Sequence, residues 1–149
     1  MREIVFALEF HGRGGPVPGS TNKRQARTTA PSQVLRAVVG PDGVNAAVEP
    51  IAGDSAALES RVERFPDGSF VEDGTITYGR AGAVTFVTVG RGHVGPAPGA
   101  GGSHGVVMWR ITGGDGHFAG AQGLITSNFT VSPDGLVTDD HFTRLYVPD

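Results

Sequence analysis

Apolar and polar residues alternate with a period near two along most of the chain, and this is the signature of half-buried β-strands. The first run, Glu3 to His11, places Ile4, Phe6, Leu8 and Phe10 on one face and Glu3, Val5, Ala7, Glu9 and His11 on the other. Strand-like runs follow at Gln33–Val39, Val44–Ile51, Ala56–Phe65, Ser69–Tyr78, Ala83–Val89, Val106–Ile111, Leu124–Val131 and Val137–Val147. Ser55 to Arg64 is the one segment a helix could also claim. Gly74 interrupts its run as a β-bulge would, which leaves parity beyond it open. Gly12 to Asn22 and Arg91 to His104 lack periodicity and read as loops.

The turns follow the same logic. Pro-Asp-Gly occurs three times, at Pro41-Asp42-Gly43, Pro66-Asp67-Gly68 and Pro133-Asp134-Gly135, each time between two β-like runs. Proline presets φ and glycine accepts the positive φ that a tight turn needs, so each is expected to close a hairpin. Val106, Val107, Met108, Trp109 and Ile111 lead into a glycine-dense corner, Thr112 to Gly123, from which a second alternating run departs. Gly120 and Gly123 there suggest a bulge or a sharply coiled strand. Eight or nine strands without a convincing amphipathic helix predict an all-β fold, a single antiparallel eight- or nine-stranded β-barrel over residues 1–149, since closure removes exposed sheet edges.

Composition narrows the function classes. With 149 residues, 24 of them glycine and 10 proline, the chain suits one turn-rich β domain. The net charge of −3 argues against a nucleic-acid partner. No apolar run is long enough for a transmembrane helix, and no signal-peptide pattern precedes the first strand, so no membrane association and a cytoplasmic location are expected. Zero cysteines remove disulfides, thiolate metal sites and a cysteine nucleophile. His11, His93, His104, His117 and His141 have no metal-ligand spacing, so no metal is expected. No phosphate loop, Rossmann fingerprint or hydrolase motif is present, and no cofactor is expected.

Thr112 to Gly123 resembles the Gly-Gly-x-Gly-x-Phe-x-x-Ala-x-Gly element of the allene oxide cyclase and dirigent barrels, with the bacterial allene-oxide-cyclase-like barrel proteins nearest in character. Gly113, Gly114, Gly116, Phe118, Ala121 and Gly123 match it. The likeness covers roughly residues 105–147 and concerns a corner that builds the fold. It implies a calycin-like barrel, a substrate held in an apolar lumen, chemistry without metal or nucleotide, and a trimeric assembly. The families' site residues do not transfer, because only the corner matches residue by residue.

Candidate chemistry therefore comes from polar residues on strands that line the lumen. Glu72 shares a face with Phe70, and a carboxyl in such a lumen would have a raised pKa and could exchange protons. Asn128 lies in an apolar-alternating strand. Asp139 and His141 share one face and can form an oriented acid/base couple, with Asp140 on the other face. Glu72, Asn128, Asp139 and His141 are the candidate catalytic residues; Phe6, Tyr78, Met108, Trp109 and Phe129 are the candidate ligand-binding residues. Either Val106 and Met108 or Val107, Trp109 and Ile111 face inward, and the second arrangement is favoured. Lys23-Arg24-Gln25-Ala26-Arg27 reads as a solvated loop and rim, or as an anion-attracting edge near a barrel mouth. The leading expectation is a cofactor-free cyclase or isomerase acting on a small apolar, polyketide- or lipid-like molecule inside the barrel. A non-catalytic binding barrel and a filled structural barrel are the alternatives. Val107, Ile125 and Val131, read as outward and apolar, suggest a homo-oligomer, dimer or trimer.

Overall fold

The computed structural model describes residues 1–99 and 101–149. Eleven strands are found among them: β1 (Arg2–Pro16), β2 (Lys23–Ala30), β3 (Gln33–Gly40), β4 (Gly43–Pro50), β5 (Ala56–Arg64), β6 (Ser69–Tyr78), β7 (Ala83–Thr88), β8 (Gly92–Pro96), β9 (Ser103–Gly114), β10 (Gln122–Val131) and β11 (Leu136–Val147). Short 3-10 turns lie at Gly79–Ala81 and Gly116–Phe118. No helix among the described residues is long and apolar enough to cross a membrane.

Eight strands close an antiparallel barrel in the order β10, β11, β1, β2, β5, β6, β7, β9, and the β9–β10 ladder completes the circle. In that ladder Leu124 stands opposite Arg110 and Val131 opposite Ser103. The short strand β8 pairs with β9 and, beyond the end of β7, with Ser69 and Phe70 of β6. The three Pro-Asp-Gly sites turn β3 into β4, β5 into β6 and β10 into β11, and Gly43, Gly68 and Gly135 all have positive φ.

The structure revises several boundaries. β1 continues through the expected loop to Pro16, because Gly12 to Pro16 pairs with β2 and makes a wall without any apolar alternation. Within the expected second loop, Gly92–Pro96 forms β8. Ser55–Arg64 contains a strand, held between β2 and β6. Gly74 is no bulge: it pairs in register with Ser60 and Phe86, and a side chain there would strike the Glu59 carbonyl oxygen and lie 3.0 Å from the Phe86 ring. The register shift lies at Thr85/Phe86 against β9. Val107 and Ile125 point inward and are buried, and the exposed neighbours Val106 and Leu124 take the outward positions.

Large side chains fill most of the interior. Phe86 and Trp109 stack with centroids 4.2 Å apart, and Phe10, Leu58, Ile76, Ile125 and Leu145 close around them. Phe118, carried by the 3-10 turn of the glycine corner, packs 5.3 Å from the Tyr78 ring and closes one end. The corner needs glycine at Gly114 because a Cβ would run into the Phe118 carbonyl oxygen. The β3–β4 hairpin stands apart as its own two-stranded sheet. Its pairing puts Leu35, Ala37, Val39, Val44, Ala46 and Val48 on one face, while the Arg36–Glu49 ion pair lies on the other.

The close approach of β1 to β2 gives a direct check. A Cβ on Gly12 would collide with the Arg27 carbonyl oxygen and sit 2.7 Å from the Thr28 Cα, whereas one on Gly15 would meet nothing within 4 Å. Gly12→Ala is expected to lower unfolding stability by about 2 kcal/mol or more, and Gly15→Ala to change it by less than about 0.5 kcal/mol, in urea titrations of the two variants.

Candidate functional site

At the end of the barrel opposite Phe118 the filling is incomplete. A cavity of about 70 Å³ opens there, with Glu72, Ser127 and Asp139 among its polar lining and Leu58, Phe70, Phe129 and Val137 among its apolar lining. Strand parity explains who enters. On β5 the inward positions are Ala56, Leu58, Ser60, Val62 and Arg64, and on β6 they are Phe70, Glu72, Gly74, Ile76 and Tyr78. On β11 they are Val137, Asp139, His141, Thr143, Leu145 and Val147.

Glu72 is fixed at both backbone and side chain. The Thr88 hydroxyl accepts from the Glu72 N–H and donates to the Glu72 carbonyl, each at 2.7 Å. Ser60 Oγ donates to Glu72 Oε2 at 2.6 Å. The carboxyl touches the cavity and is otherwise enclosed by protein. This burial pushes its pKa from the ordinary 4.5 up to about 8; the Ser60 hydrogen bond opposes the rise and the charge of Asp139 across the lumen adds to it. At neutral pH Glu72 is therefore predominantly a protonated acid able to donate. The Trp109 indole N–H lies near this carboxyl but makes no hydrogen bond.

Facing it, Asp139 accepts from the Ser127 hydroxyl at 2.6 Å, and its Oδ2 lies 2.9 Å from His141 Nε2. A carboxylate can only accept, so this contact places the ring proton on Nε2. His141 is buried, 4.3 Å from the Phe10 ring and edge-on to Trp109 at 5.0 Å, and its Nδ1 has no partner. The lumen thus holds a protonated carboxyl on one wall and an acceptor carboxylate, oriented by two donors, on the other.

The structure brings Glu72 and Asp139 to the cavity, with His141 behind Asp139 and Phe129 in the apolar wall. Asn128 and Met108 do not belong there. Both are exposed on the outer surface, because Ser127 and Phe129 take the inward positions of β10, and Val107 and Trp109 those of β9. Phe6, Tyr78 and Trp109 lie inside the barrel but outside the cavity lining. Tyr78 sits at the closed end against Phe6 and Phe118, where burial pushes its phenol pKa up. Asp140 faces outward beside Glu9, and burial together with that neighbour raises it to about 6. Ser60 and Ser127, which hold the two carboxyls, went unremarked in the sequence; each shares a strand face with apolar inward residues, and that parity was the available signal. No protein-family model, no curated protein and no solved structure matches the chain.

The raised pKa of Glu72 has a signed consequence for stability. The folded protein keeps a proton that the unfolded chain releases above its ordinary 4.5, so this contribution is fully present below 4.5 and is lost as pH rises through about 8. Subtracting the Glu72→Gln curve removes the parallel effect of Asp140. The wild type is expected to lose up to about 1.4 kcal/mol per pH unit relative to Glu72→Gln across that window. Urea unfolding of both proteins at several pH values checks this; parallel curves would refute the raised pKa.

Proposed function

We propose that this barrel is a cofactor-free isomerase or cyclase that moves protons on a small apolar, polyketide- or lipid-like molecule whose reacting end enters the cavity. The observation that carries the reading is the pairing of a protonated Glu72 with an oriented Asp139 carboxylate across one narrow, largely apolar lumen. A carbonyl oxygen placed at Glu72 accepts its proton while Asp139 takes a proton from the neighbouring carbon, and an enol results. Return of the Asp139 proton to a different carbon, with the enol proton going back to Glu72, completes an isomerisation. Alternatively, the enol carbon attacks a second carbonyl carbon of the same molecule: the ring C–C bond forms as that C=O π bond breaks, its oxygen takes the proton from Asp139, and the enol proton returns to Glu72. Both steps use groups of the chain itself. The apolar walls exclude water, which strengthens each interaction and protects the intermediate. Ser60 and the Ser127–His141 pair are positioning residues that keep the carboxyls aimed at the lumen. The corner resemblance to the allene oxide cyclase and dirigent barrels agrees with this reading and forms part of the proposal.

Self-association is proposed alongside it. The outer face carries a cross-strand row of Ala7, Phe142, Thr126 and Met108, flanked by Val5 and Leu124, with Phe142 52% exposed. The apolar hairpin face adds a second uncovered surface. Sedimentation should give a dimer or trimer, and a monomer at high concentration would refute it.

Deuterium exchange from solvent into the carbons beside the carbonyl of small ketones and enones, followed by NMR, tests the catalytic reading. Wild type is expected to exceed Glu72→Gln and Asp139→Asn by at least about 100-fold for an accepted probe, with the rate falling as pH passes about 8. Equal rates for all three proteins across the panel would reduce the barrel to a binding module.

A further inference from the structure

Two arginines line the cavity mouth without a counter-charge. Arg24 of β2 stands opposite Val62, and Arg64 lies two residues further along β5, so their inward side chains converge on the same rim. No carboxylate among the described residues lies within 4.0 Å of either. Arg27, Arg61, Arg80 and Arg144 on the outer surface, by contrast, each hold one.

Several other charged groups at this end are already engaged. Arg13 donates to the Asp134 carbonyl, and Arg91 lies 3.9 Å over the Phe65 ring and donates to Ser69 Oγ. Asp67 accepts from Ser69, and Asp134 from Ser132. Two inward carboxyls lie below the mouth: Glu72 is protonated at neutral pH and brings little negative charge, and Asp139 is already held by Ser127 and His141. Burial, and then the positive charge of Arg24, hold Arg64 below the usual guanidinium range. Two like charges at one partly buried rim are unfavourable unless an anion sits between them, and planar guanidiniums match oxyanions through paired N–H donors.

The register also gives a length. Arg64 is opposite Phe70, two residues along β6 from Glu72, a separation of about 7 Å along the strand. The cavity beneath, of about 70 Å³, has room for a handful of water molecules, so only the end of a ligand enters it.

We infer that Arg24 and Arg64 form an anion-binding mouth, and that the ligand is a small organic acid whose head group, carboxylate or phosphate ester, stays between the guanidiniums while its short apolar end points toward Glu72. The direction of the apolar end rests on the proton-transfer reading; anion recognition stands on the arginines alone.

Hexanoate, hexyl phosphate and hexanol, titrated calorimetrically into wild type, an Arg24→Gln/Arg64→Gln double variant and Glu72→Gln, test it. At least one of the two anions should bind wild type about tenfold or more tighter than hexanol, and the tighter one names the head group. The double variant should lose that preference while binding hexanol unchanged, and Glu72→Gln should keep it. Equal binding of anions and alcohol would overturn the mouth and leave an apolar cavity intact. A preference that survives in the double variant would overturn it too, placing the anion elsewhere. Absence of all binding would overturn it and leave proton transfer to be decided by the exchange measurement.

Discussion

Closure of the sheet through the β9–β10 ladder is the constraint from which the rest follows. Once eight strands form a ring, every second side chain on each strand must share one narrow interior, and exchange of a residue between faces is no longer possible without breaking the ladder. Phe86, Trp109 and their neighbours satisfy this demand over most of the length. Near the mouth the inward positions of β5, β6, β10 and β11 are instead Arg64, Glu72, Ser127 and Asp139, and there the packing leaves space. The same alternation that builds the core therefore places the polar groups, and it leaves each of them little freedom to turn away.

Burial of those groups is what gives them chemistry. A carboxyl withdrawn from water favours its neutral form, and a second carboxyl across the lumen pushes in the same direction. Glu72 answers by holding its proton, and the Ser60 hydroxyl limits the rise without reversing it. Asp139, buried across the same lumen, differs in its partners, with both Ser127 and His141 donating to it. Two residues of the same chemical kind thus face one lumen with different partners, and the proposed proton transfer rests on that difference. The Arg24–Arg64 rim adds positive charge outside this pair, where the cavity meets solvent.

Much of this was legible in the sequence, for identifiable reasons. The period-two pattern of Ile4, Phe6, Leu8 and Phe10 and the three Pro-Asp-Gly turns are local signals, and they led to an all-β barrel. Phe70 on the same face pointed Glu72 inward, whereas the last strands left two arrangements open, Asp139 with His141 or Asp140 alone entering the lumen, and the ladders select the first. Asn128 was misplaced because it adjoins the inward residues Ser127 and Phe129 and only the ladder decides which of two adjacent positions enters, whereas Met108 lies outward as the favoured inward set of Val107, Trp109 and Ile111 requires. The strand through Gly12 to Pro16 and the separation of the β3–β4 hairpin from the ring were not legible: glycine and proline carry no alternation, and which strands join the ring is set by long-range pairing.

The central claim is that Glu72 is a neutral acid inside the lumen at neutral pH, and infrared difference spectroscopy between wild type and Glu72→Gln tests it most directly. The account predicts the carbonyl stretch of a protonated carboxylic acid at neutral pH in wild type, absent from the variant, converting to a carboxylate band as pH passes about 8. A difference spectrum that shows only a carboxylate at neutral pH would contradict it, and the proton donor on which the proposed chemistry depends would be lost.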